Sequence, residues 1–217
     1  MNQTEIIENT KNFVKQSLQN AEGGHDWFHI QRVLKNAQHI AINENVDNFI
    51  VTLGALLHDI ADSKFHNGNE KIGPEKACIF LKEQGVSEEI IEHVVRIIEN
   101  ISFKGGNEEQ TFRSPELDVI QDADRLDAIG AIGIARTFNY GGFKGRALYD
   151  PEIEPDLGMS KAAYKSSSAP TINHFYEKLL LLKGRMHTKT GRQIAADRHK
   201  FMEEYLNQFY KEWNGEL

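Results

Sequence analysis

The chain has 217 residues, 40% of them hydrophobic and 26% charged, which is enough for one sizeable core in a globular protein. Its net charge of −7 disfavours general nucleic-acid binding, which needs a basic surface. No apolar run approaches the roughly 20 residues a bilayer requires, Met1 to Gln19 lacks a signal-peptide core, and the single Cys78 has no internal partner, so cytoplasmic residence is the default expectation.

Along the chain, helix follows helix. Ile30, Val33, Leu34, Ala37, Ile40 and Ala41 mark one face of a helix from about His25 to Asn43. Asp47 can cap a second, wholly apolar helix that runs through Ile50-Val51-Thr52-Leu53-Gly54-Ala55-Leu56-Leu57 to His58-Asp59. Pro74 opens a third, with Ala77, Phe80 and Leu81 inward, and Gly85 closes it. Ser87 with Glu88 and Glu89 opens a fourth, carrying Ile90, Ile91, Val94, Val95, Ile97 and Ile98. Ser114-Pro115-Glu116 starts a fifth, carrying Val119, Ile120, Ala123, Leu126 and Ile129, and Gly130 and Gly133 after it allow close packing. A last pair is expected around Ile172–Leu182 and Arg192–Trp213, the latter with Ile194, Phe201, Tyr205 and Phe209 on one stripe. With no sustained alternation, the predicted fold is all-α: one helical domain over 1–217, its motif core over 25–127 and its C-terminal helices over 171–213 packed on that core. The segments 103–113 and 141–170 read as loops, the second long enough to suggest a functional role.

His58-Asp59 is the most informative pair. An aspartate at the C-terminal end of a buried helix is repelled by the helix dipole, and desolvating its carboxylate is costly without a cation or donors. A metal ion removes both difficulties, with His58 as a neutral imidazole ligand and Asp59 as an oxygen ligand. Two further segments carry metal-type side chains: His25 to His29, and Asp122-Ala123-Asp124-Arg125-Leu126-Asp127, where Asp124 and Asp127 share a helix face beside an apolar stripe. A basic segment, Lys178 to Lys200, sets seven basic residues against the lone acid Asp197. It reads either as a local anion site or as a solvated face.

The spacing of His29, His58-Asp59 and Asp124 resembles the HD-domain superfamily, an all-helical fold of metal-dependent phosphohydrolases named for its adjacent His-Asp. The later runs His174-Phe175-Tyr176-Glu177-Lys178-Leu179-Leu180, Met186-His187-Thr188 and Arg198-His199-Lys200-Phe201-Met202 look similar to a bacterial branch acting on nucleotides. The resemblance implies that His29, His58, Asp59 and Asp124 bind one divalent ion. The stretch Glu99-Asn100-Ile101-Ser102 lacks the histidine a second metal would use, and His66 and His93 read as surface or structural residues. Mixed N/O ligation suits Mn²⁺, Fe²⁺, Co²⁺, Ni²⁺ or Zn²⁺. Mn²⁺ is the favoured expectation, with Mg²⁺ also open.

Asp62, three residues after Asp59, matches a catalytic acid of related HD enzymes and is the expected general acid/base. Asp127 is a further catalytic candidate. His25, Lys104, Arg125, Arg185, Arg192 and Arg198 are candidate substrate contacts; for Arg198, on an apolar stripe, snorkelling is the competing account. The implied activity is hydrolysis of a (deoxy)nucleoside triphosphate to monophosphate and pyrophosphate. The alternatives are a nucleoside monophosphate phosphatase, a cyclic-nucleotide phosphodiesterase, or a non-catalytic sensor of nucleotide or metal. The expected partner is a small phosphate ester, with no membrane or nucleic acid, and a homodimer stays open.

Overall fold

In the computed structural model of the chain, residues 1–19, 26–60, 69, 71–101, 112–158 and 167–216 are described. The described residues form nine α-helices and one 3-10 helix, with no strand among them. The chain divides into two compact units, Met1–Asp124 and Arg125–Leu217.

The first unit opens with α1 (Gln3–Ser17), which the apolar pattern did not reveal. Asn2 and Glu5 cap it reciprocally: the Asn2 side chain accepts from the Glu5 N–H at 2.9 Å, and the Glu5 carboxylate accepts from the Asn2 N–H at 3.0 Å. Its buried stripe is Ile6, Thr10 and Val14, with the Thr10 hydroxyl donating to the Ile6 carbonyl. The helix α2 (Trp27–Ala41) buries the expected stripe from Ile30 to Ala41, and His29 with it. The helix α3 (Asn48–Leu57) is buried from Phe49 to Leu57, and Asp47 caps it by accepting from the N–H groups of Phe49 and Ile50. Its neighbours within this unit are α1, α2 and α5. The helix α4 (Ile72–Glu83) begins two residues before Pro74 and is followed by Gly85 at φ +72°, the left-handed turn that ends it. The helix α5 (Glu88–Asn100) follows Ser87, whose side chain makes no capping bond. The helix α6 (Pro115–Asp127) is capped by the Ser114 hydroxyl, which accepts from the Leu117 N–H at 3.1 Å.

Gly54 on α3 sits where a Cβ would lie 2.5 Å from Ile120 Cδ1 of α6 and 3.4 Å from Ile97 Cγ2 of α5. A glycine there lets the three helices approach closely.

The second unit holds α7 (Gly130–Phe143), the short α8 (Asn173–Glu177), a 3-10 turn over Leu179–Arg185, and α9 (Lys189–Trp213). The expected continuous helix over Ile172–Leu182 is interrupted: Lys178, at φ −143° and ψ −57°, leaves helical geometry, and the leucines continue as 3-10. The helix α9 starts three residues before Arg192, capped by the Thr188 hydroxyl accepting from the Gly191 N–H. Its buried stripe is Gly191, Ala195, His199, Met202 and Leu206, one step round from the expected one. Phe201 is exposed, while Tyr205 and Phe209 join an aromatic flank: Tyr205 stacks on Phe175 at 6.0 Å and Phe209 on Trp213 at 6.1 Å. Small and flexible side chains fill the packed face, and the wide rings spread along its border. No helix among the described residues is long and apolar enough to cross a membrane.

Candidate metal centre

Asp26 fixes the start of α2, its carboxylate accepting from the His29 N–H at 2.8 Å. His29 thus lies in the first turn, 2% exposed. At the other end of α3, His58 occupies the C-cap, and its Nδ1 lies 2.9 Å from the Ala55 carbonyl. That carbonyl is one of the last in the helix, which have no intrahelical donors. The contact assigns the proton to Nδ1 and leaves a lone pair on Nε2.

His58 Nε2 is buried and has no hydrogen-bond partner among the described residues. It faces other ligand-type atoms. One atom each from His29, His58 and Asp59 lie within 4.8 Å of one another. Asp124 Oδ1, from α6, is 3.5 Å from His29 Nε2 and 4.0 Å from His58 Nε2. The two imidazoles meet edge to face, with centroids 5.4 Å apart. A buried polar atom left without a partner is costly, and a cation among two imidazoles and two carboxylates is the group that satisfies this one. The donor set therefore fits a divalent ion held by His29, His58, Asp59 and Asp124. Asp124 is 40% exposed in its side chain, so the cluster is open to solvent on that side.

The structure brings these four side chains together. Asp62, His25, Lys104 and His66 lie outside the described residues. His93 lies apart from the cluster's donor set: its Nε2 is 2.9 Å from the Ser114 hydroxyl and 3.4 Å from Glu116, whose other carboxylate oxygen accepts from the Asp47 N–H. Those contacts tie the starts of α3 and α6 to α5.

In the second unit, Asp127 is 2% exposed and its Oδ2 lies 2.5 Å from Arg136 Nη1. Arg136 also donates to the Asp127 carbonyl. The sequence reading missed Arg136; its one signal is a cation nine residues beyond a carboxylate at a buried helix end. Arg125 donates to the Arg185 carbonyl at 2.7 Å, and Arg192 to the His187 carbonyl at 2.8 Å. Arg198 donates to the Leu126 carbonyl, and its aliphatic stem lies over Gly130, where a Cβ would come 3.0 Å from Arg198 Cγ. Burial pushes the Arg198 pKa down, and the Asp127 charge opposes that shift. Arg192 and Arg198 of the basic segment are thus engaged with backbone carbonyls.

A protein-family model described as HD domain matches residues 27–129. The chain is 37% identical to the protein YpgQ of Bacillus subtilis (strain 168), over 99% of this chain and 97% of that one. Among solved structures, an HD-superfamily hydrolase from Bacillus thuringiensis superposes with a TM-score of 0.80 at 46% identity, covering 98% of this chain and 99% of that one. The structure of Bacillus subtilis YpgQ in complex with ADP gives a TM-score of 0.79 at 34% identity, covering 98% and 97%. On the adjacent His58-Asp59, the cluster they complete and these near full-length matches, the chain belongs to the HD-domain superfamily of hydrolases, among small bacterial members similar to YpgQ.

Proposed function

We propose that the chain is a metal-dependent phosphohydrolase that cleaves a (deoxy)nucleoside triphosphate between its α and β phosphates, releasing the monophosphate and pyrophosphate. The observation that carries the metal part is the buried, partnerless His58 Nε2 within reach of His29, Asp59 and Asp124. The nucleotide part is supported by the relative YpgQ, solved in complex with ADP. His29, His58, Asp59 and Asp124 hold one divalent ion, with Mn²⁺ favoured. When bound, such an ion supplies a Lewis acid for a phosphate oxygen and lowers the pKa of a water toward neutrality.

The chain's own residues supply the rest. The Ala55 carbonyl holds the His58 proton on Nδ1, so that Nε2 stays a lone-pair donor. The Asp26 cap holds the first turn of α2, and with it His29. Asp62 orients the attacking water and takes its proton as the P–O bond to the leaving pyrophosphate breaks. Lys104 and Arg125 are phosphate contacts.

The test is a purified sample incubated with Mn²⁺ and a panel of nucleotides, its products separated by anion-exchange chromatography. Monophosphate and pyrophosphate are expected, with turnover abolished by EDTA. Diphosphate nucleotide with orthophosphate, or no turnover of any triphosphate, overturns the reading.

A further inference from the structure

Beyond α7, the stretch that reads as a loop in the sequence gathers two cations on one cavity. Gly145, at φ +65°, turns the chain. Its N–H and that of Arg146 close on the carbonyls of Gly142 (3.1 Å) and Gly141 (2.9 Å). The turn brings Lys144 and Arg146 to a cavity of about 300 Å³ whose wall also includes Tyr140, Ser167 and Ser168. That wall is fastened across the chain by two bonds: Arg146 Nη2 donates to the Ser167 carbonyl at 2.6 Å, and Thr171 N–H to the Ala147 carbonyl at 2.9 Å.

Among the described residues that line the cavity, none is acidic. Lys144 Nζ lies 5.2 Å from the Phe143 ring centroid and 5.6 Å from that of Tyr140, and Arg146 Cζ lies 5.7 Å from the Tyr140 ring. Among the described residues neither cation has a carboxylate at ion-pair distance. Glu177 feels the Arg146 charge, but its carboxylate accepts from the Asp156 N–H. The positive field is strong enough to reach His174: after burial, Lys178 and Arg146 are the causes that hold its pKa down. Two like charges facing one hollow, in a chain of net charge −7, repel each other unless an anion lies between them. The donors match a tetrahedral oxyanion: a planar guanidinium, an ammonium and two serine hydroxyls. The volume lies at the lower end of ligand cavities, roughly 300–1,000 Å³, which suits a phosphate group or a short polyphosphate rather than a whole nucleotide.

We infer that the cavity between Lys144, Arg146, Ser167 and Ser168 is a phosphoanion-binding site, taking phosphate, pyrophosphate or the polyphosphate portion of a larger ester. It stands on this cavity alone and needs neither the metal nor turnover.

The direct test is calorimetric titration of the full chain with pyrophosphate in excess EDTA at low salt. Saturable binding is expected, weakening steeply with added salt and falling tenfold or more in Lys144→Gln and Arg146→Gln. The Lys144 ammonium makes no side-chain hydrogen bond among the described residues, so its variant keeps the test open should Arg146→Gln lose its tie to Ser167 and unfold; circular dichroism checks both. No saturable binding to the wild type, or wild-type affinity in both variants, overturns the site. The source of the anion is read separately. A raised KM for a triphosphate with kcat kept in Lys144→Gln supports the substrate's own phosphates, and an unchanged KM with pyrophosphate binding lost supports a free anion.

Discussion

The two units set their carboxylates in different company. In Arg125–Leu217, the 2%-exposed Asp127 has its counter-charge built in, with Arg136 against its carboxylate and carbonyl. In Met1–Asp124, the carboxylates of Asp59 and Asp124 converge on two imidazoles, and His58 Nε2 has no hydrogen-bond partner among the described residues. A self-sufficient ion pair belongs to the scaffold. Two imidazoles beside two carboxylates form the donor set that the proposed divalent ion would use.

The largest expected effect follows from that contrast. In His58→Ala, Mn²⁺ affinity measured by calorimetry falls roughly a hundredfold or more, beyond the 10–100-fold that loss of a merely orienting partner costs. Unchanged metal binding would place the ion elsewhere. Next, Arg136→Met removes the partner of a buried carboxylate and is expected to cost about 3 kcal/mol in urea unfolding. Pairing it with Asp127→Leu should restore most of that loss, since the stranded charge goes too; if the double variant is no better, Asp127 is doing something other than balancing Arg136.

The third effect is a pH dependence at His174. Burial first, then Lys178 and Arg146, depress its pKa from 6.5 to about 3. The unfolded chain therefore binds the proton more readily than the folded one. The stabilisation is complete above about pH 6.5 and is lost as pH falls toward 3, at up to about 1.4 kcal/mol per pH unit. Melting curves of the wild type and His174→Gln, with EDTA present, should converge as the sample is acidified through this window. Parallel curves would mean that His174 does not report on unfolding. The smallest effect belongs to Asp47→Ala, which removes the cap of α3 and should lower stability by about 1 kcal/mol.

The parts legible in the sequence were those where burial leaves a period. Helices α2, α3 and α6 carry apolar stripes with capping residues at the right offset, and His29, His58, Asp59 and Asp124 stand at their ends or along them. The helix α1 escaped notice because a threonine occupies the middle of its buried stripe. The helix α7 escaped because its glycines read as breaks, although Gly133 is needed beside the Ala128 carbonyl and Gly141 beside the Thr171 hydroxyl. The shift of the α9 stripe has a similar origin: the conspicuous rings drew the face, while glycine, alanine and histidine hold the packed one. The cavity of Lys144 and Arg146 was not legible at all, because its opposite wall is 21 residues away in a segment without period.

Gly54 has a consequence for ion choice. It lies one turn before His58 on α3 and is pressed against Ile120, itself one turn before Asp124 on α6. The absent methyl group thus acts as a gauge block between the two helices, setting the spacing of His58 and Asp124 that they carry. Gly54→Ala would thicken that block without altering any ligand, and divalent ions differ in the donor distances they accept, about 2.0–2.1 Å for Mg²⁺ against 2.3–2.6 Å for Ca²⁺. On the proposed metal-binding role, a hydrogen atom at one Cα would in this sense help to set which ion the four side chains accept.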